Sequence, residues 1–179
     1  MTLPLLTKRA IWICVCAVMA TAGYLGHTAW QTKRGEAALQ ATALQFLPLQ
    51  QALVLAQAAG KPVLVDFSAI WCPTCRALHA DVFTDIAVKQ AITTGFVLSR
   101  VDYEAPGARA FMQRYAVQGF PTLLALSADG QLLRRIPISF DPATLAATLR
   151  DCPGSINGAR TPSLPGSPPT GQPAPDHPC

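Results

Sequence analysis

Residues 62–67 (PVLVDF) form a short apolar run rich in β-branched side chains, and Cys72-Pro73-Thr74-Cys75 follows within a few residues. A run of this kind suits a strand buried on both faces. The chain must then turn tightly and enter a helix near Cys72. Pro73 suits the first helical turn, where no N–H partner is needed. Backbone N–H groups at a helix start carry a partial positive charge that favours a thiolate. The thiolate is the attacking species in disulfide exchange. Cys75 lies one turn further on, near enough to close an intramolecular disulfide, and Arg76 adds a nearby cation.

The segments around this unit alternate. Residues 48–59 read as a helix, with Pro48 at its start, Leu49, Leu53 and Ala56 on one face and Gly60 past the end. In the helix after Cys72, Cys75, Leu78, His79 and Val82 share one side. Asp85 is placed to cap a further helix ending near Gly95, and residues 96–101 read as a second strand. Ala108, Phe111, Met112 and Tyr115 form another helical stripe. Residues 122–127 and 131–136 are strands joined by Ala128-Asp129-Gly130, a hairpin signal. Asp141-Pro142 opens a last helix to about Arg150. This order predicts an α/β domain with a parallel central strand pair, right-handed crossovers and an antiparallel hairpin edge.

Residues 10–30 contain no Lys, Arg, Asp or Glu. As a helix they would span about 31 Å, close to the hydrocarbon thickness of a bilayer. Lys8 and Arg9 precede this run and Lys33 and Arg34 follow it, which favours a cytoplasmic N-terminus only weakly. Two readings stand: an uncleaved anchor, or a signal peptide cleaved after Ala20-Thr21-Ala22. Both put the rest of the chain outside the cytoplasm, either anchored in the inner membrane facing the periplasm or secreted into it. The net charge of +4 is concentrated beside this segment, and no basic, aromatic-interleaved face suggests nucleic-acid binding. Eight of residues 152–179 are Pro, with many Gly, Ser and Thr, which predicts a disordered tail. The expected division is a cytoplasmic stub (1–9), the anchor or signal (10–30), a linker or juxtamembrane helix (31–43), a folded domain (44–150) and the tail (151–179).

The domain resembles the thioredoxin family. The likeness rests on Trp71 directly before Cys72, Asp66 six residues before it, Gly119-Phe120-Pro121-Thr122 some way downstream, and the element order. Residues 60–67, 71–76 and 82–85 are most similar to the periplasmic C-terminal domain of DsbD-type thiol:disulfide interchange proteins. The resemblance implies a three-layer sandwich around a mixed sheet. It also implies Cys72 as attacking cysteine, Cys75 as resolving cysteine and Asp66 as the acid that helps move the Cys75 proton. Pro121 would be cis, and Phe120 and Trp71 would line the substrate side. That branch carries a glutamate four residues after its second cysteine, where this chain has His79.

The function expected on these grounds is reduction of protein disulfides outside the cytoplasm, with oxidation as the other direction. The partners would be protein thiols and disulfides, and the membrane through the N-terminal helix. No cofactor is required. A metal role is disfavoured because zinc sites usually need four ligands and no second C-x-x-C exists. Haem attachment would need His where Arg76 stands. A non-catalytic peptide-binding or chaperone-like module is the alternative. His79 is open between a half-exposed helix residue and a tuner of Cys75. Cys152 and Cys179 can pair, stay free or link two chains.

Overall fold

The computed structural model describes residues 5–151. The tail and the Cys152–Cys179 pairing lie outside the described residues. The elements are α1 (Leu5–Ala41), α2 (Leu49–Ala59), β1 (Val63–Ser68), α3 (Pro73–Ala77), which runs on as a π-helical turn (Leu78–Val82), α4 (Ile86–Gly95), β2 (Val97–Asp102), α5 (Ala108–Arg114), β3 (Thr122–Leu126), β4 (Leu132–Ile136) and α6 (Pro142–Arg150).

The sheet order is β2-β1-β3-β4. β1 pairs with β2 in parallel and with β3 antiparallel, and β3 pairs with β4 antiparallel. The mixed sheet anticipated from the element order is therefore present. All six β1 residues are buried, as a central strand covered on both faces requires. Alternation then sorts its side chains. Val63, Val65 and Phe67 join Leu124 and Leu126 against α2 and α5. Leu64 joins Leu123 and Ala125 against Leu78, Val82, Phe83, Ile92, Leu145 and Leu149 on the opposite side. Asp66 shares the Leu64 face, so the strand period alone delivers its carboxylate beneath the helix that carries the cysteines.

Local chemistry fixes the element ends. Gly60 closes α2 in the left-handed region at φ 65°, where a side chain would be strained. Asp85 Oδ1 accepts from the Ala87 and Val88 N–H groups at 2.8 and 3.1 Å. Asp141 caps α6 by accepting from Thr144 N–H, with Pro142 in the first turn. Leu47 bridges the outer edge of β2, donating to Leu98 O and accepting from Arg100 N–H.

α1 continues without a break through residues 31–41, a stretch of mostly good helix formers such as Arg34, Glu36, Ala37, Ala38, Leu39 and Gln40. Its far end packs on α3 and the π-helical turn. Arg9–Ala41 contains a window long and apolar enough to cross a membrane, with a mean hydropathy of 1.6.

Candidate active site

The site lies where β1 ends. Cys72 is the N-cap of α3, with extended backbone angles, and Pro73 occupies the first turn. The Cys75 N–H donates to Cys72 Sγ at 3.2 Å. The Thr74 hydroxyl lies 3.1 Å from the same sulfur. Cys75 Sγ donates to Cys72 Sγ at 2.7 Å, and both residues are free thiols. One helical turn has thus brought the two sulfurs face to face, with the N-terminal sulfur receiving the donors.

The two cysteines are nearly closed off from solvent and cluster with Ala69, with Phe120 packed against them. Burial pushes the Cys75 thiol far above its ordinary value, and the hydrogen bond to Cys72 and the charges of Cys72 and Asp66 push the same way. Cys75 therefore rests as a protonated thiol. The Phe120–Pro121 peptide bond is cis, as the family likeness implied.

Aromatic side chains form the rim. Trp71 meets Phe120 edge-on at 5.4 Å between ring centroids, and Tyr103 lies 5.1 Å from Phe120 and 6.4 Å from Trp71. Trp71 is 38% exposed and Tyr103 42% exposed, so both remain available to a partner. Tyr103 was not singled out from the sequence. Its signal was positional: it follows β2 directly, and the register pairs Ser68 with Asp102 at the same sheet end.

Asp66 is fully buried. Its Oδ2 accepts from the Ser68 hydroxyl at 3.0 Å and lies 2.7 Å from His79 Nε2. The Arg100 Nε–H donates to Ser68 Oγ at 3.0 Å, and the Arg100 guanidinium also pairs with Asp102. Asp66 Oδ1 has no hydrogen-bond partner among the described residues. His79 is 3% exposed, which corrects the half-exposed alternative: the π-helical turn carries the ring inward, between Phe46 and Phe83. The ring meets Asp66 rather than the cysteines.

α1 supplies the last wall. Arg76 donates to Gln31 Oε1 at 2.8 Å. A cleft of about 630 Å³ is lined by Trp71, Glu104 and the α1 residues Tyr24, His27, Thr28 and Gln31.

A family model described as a thioredoxin-like domain matches residues 49–153. The thiol:disulfide interchange protein DsbD of Klebsiella pneumoniae subsp. pneumoniae is 39% identical over 101 residues, which is 54% of this chain and 17% of that protein. The chain thus spans less than a fifth of the length of that relative. A solution structure of a thioredoxin from Thermus thermophilus is 29% identical and covers 60% of this chain and 85% of its own, with a TM-score of 0.54. The reduced DsbD C-terminal domain of Neisseria meningitidis covers 57% of this chain and 92% of its own at 20% identity, with a TM-score of 0.50. At that identity it speaks for the fold alone.

Proposed function

The chain belongs to the thioredoxin-like family, and on that premise we propose that it is an extracytoplasmic thiol–disulfide oxidoreductase that reduces protein disulfides through Cys72 and Cys75. One observation carries the reading: two free thiols in contact across the first turn of a helix, one capping its start and one buried behind it.

In this reading the Cys72 thiolate attacks a partner disulfide. A Cys72–partner disulfide forms, and one partner sulfur leaves as thiolate. Cys75 then gives up its proton and attacks Cys72 Sγ. The Cys72–Cys75 bond forms, the bond to the partner breaks, and the second partner sulfur leaves. Two electrons have passed to the partner and the site is left as a disulfide. Asp66 takes the Cys75 proton, because a thiol held so firmly in its neutral form needs an acceptor close by. Trp71, Phe120 and the backbone around Pro121 form the docking surface for the extended partner segment. DsbD is by name a thiol:disulfide interchange protein, which supports the same class of partner here.

The apolar part of α1 serves as the anchor or export signal, leaving the redox domain on the periplasmic side. No cofactor enters the exchange.

The test is insulin reduction by the full chain in detergent micelles. Cys72→Ser abolishes turnover, whereas Cys75→Ser accumulates a trapped disulfide between Cys72 and the substrate. Unchanged turnover in both variants contradicts the reading and returns the domain to the peptide-binding alternative.

A further inference from the structure

Cys75 presents a difficulty that the two cysteines cannot solve alone. It is 1% exposed, and its burial holds it as a thiol. It must nevertheless lose a proton to resolve the mixed disulfide. The nearby acid, Asp66, is itself fully buried, and an unsupported carboxylate in such a place is costly to keep ionised. The side chains around Asp66 address that cost. Oδ2 is held from two sides, by Ser68 on the same strand and by His79 on the π-helical turn, and Arg100 on β2 polarises the Ser68 hydroxyl. Among the described residues Oδ1 has no partner. The carboxylate thus has one fully supported oxygen and one oxygen free to accept.

We propose that His79 is a positioning residue of the redox site: its Nε2–H donates to Asp66 Oδ2, keeping Asp66 a carboxylate whose free Oδ1 receives the Cys75 proton during resolution. The proposal rests on the exchange reading above and specifies how its second step is made possible. The proton balance is simple. Cys75 S–H gives its proton to Asp66, its sulfur bonds to Cys72 Sγ, and the departing partner thiolate carries the electron pair of the broken bond. When the site is later reduced, Asp66 returns that proton to Cys75. His79 acts only as a donor in this scheme, its ring held by edge-on contact with Phe46 and tilted contact with Phe83.

The geometry allows the two sulfur steps to be separated. The reduced full chain, with Cys14, Cys16, Cys152 and Cys179 replaced by Ser so that only Cys72 and Cys75 report, is mixed in micelles with the chromogenic disulfide dithiobis-nitrobenzoate. The first aromatic thiolate released reports attack by Cys72, and the second reports closure by Cys75. His79→Leu fills the space and removes the donor, and His79→Gln keeps a donor. The Leu variant is expected to slow the second release by about tenfold or more while leaving the first within about twofold, and the Gln variant to recover the second to within about threefold of wild type. Equal slowing of both phases, no slowing of either, or a Gln variant as slow as the Leu variant would each overturn the proposal. Ring-nitrogen NMR on the reduced wild type gives a reading that needs no variant to fold. A proton on Nε2 is expected, and a proton found on Nδ1 alone overturns the assignment. A wild type that never releases the second thiolate sinks the exchange reading itself and this proposal with it. A wild type with both phases, insensitive to position 79, sinks only the role of His79.

Discussion

Gly35 of α1 stands against the backbone carbonyl of Ile70, so close that a Cβ on Gly35 would lie 1.9 Å from the oxygen. Ile70 sits two residues before Cys72, in the loop that carries β1 into the redox helix. The helix leading out of the apolar segment and the loop leading to Cys72 therefore meet at a point where no side chain fits. Arg76 and Gln31 clasp the same junction at 2.8 Å.

This contact gives the first prediction. Gly35→Ala raises helix propensity by about 1 kcal/mol, and that gain alone would stabilise α1. Overpacking against backbone typically costs about 1–3 kcal/mol, because a carbonyl cannot rotate away as a side chain can. The clash should win. Hydrogen exchange in the loop at 69–71 should rise in Gly35→Ala relative to wild type, and an unchanged or slower exchange there would show that α1 does not bear on the site.

Much of the domain could be read from the chain because its signals are local. Asp85 and Asp141 sit at helix starts, Gly60 and Gly130 where backbone angles turn positive, and Leu64 and Asp66 on one face of a strand by simple alternation. The cysteine pair belongs to the same class, since one helical turn settles its geometry. What escaped the sequence depends on residues far apart in the chain. Gln31 reaches Arg76 across 45 positions, Tyr103 joins Trp71 and Phe120 only once β2 lies beside β1, and Leu47 adds itself to the sheet edge as a single bridge. Helical spacing already set His79 beside Cys75, Leu78 and Val82, but its pairing with Asp66, 13 positions earlier on β1, exists only once helix and sheet are packed.

The raised Cys75 thiol has a consequence for stability. Its folded value lies above its unfolded one, so folding favours the neutral form. Below the ordinary thiol value of 9.0 both states are protonated and stability does not depend on this group. As pH rises past that value the unfolded chain ionises while the folded chain does not, and stability falls by up to about 1.4 kcal/mol per pH unit. Denaturant titrations of the reduced protein between neutral and alkaline pH should show this decline, and Cys75→Ala should lessen it. Parallel curves for the two proteins would contradict the assignment.

The Asp85 cap should be worth an ordinary amount. Its carboxylate serves two N–H groups of α4, a helix that packs against α6. Asp85→Ala is expected to lower unfolding free energy by about 1 kcal/mol, with Asp85→Asn recovering most of it. A thermal or urea midpoint unchanged in the Ala variant would show that the helix end is satisfied by other means.

The redox equilibrium of the Cys72–Cys75 pair bears most directly on the whole account. The full chain, with Cys14, Cys16, Cys152 and Cys179 replaced by Ser, is equilibrated in glutathione buffers of graded ratio, and its free thiols are trapped and counted by mass. A couple of two adjacent cysteines must lose both thiols together, in a single two-electron transition that Cys72→Ser and Cys75→Ser each abolish. Thiols that disappear one at a time as separate glutathione adducts, or a pair that stays reduced at every ratio, would contradict it.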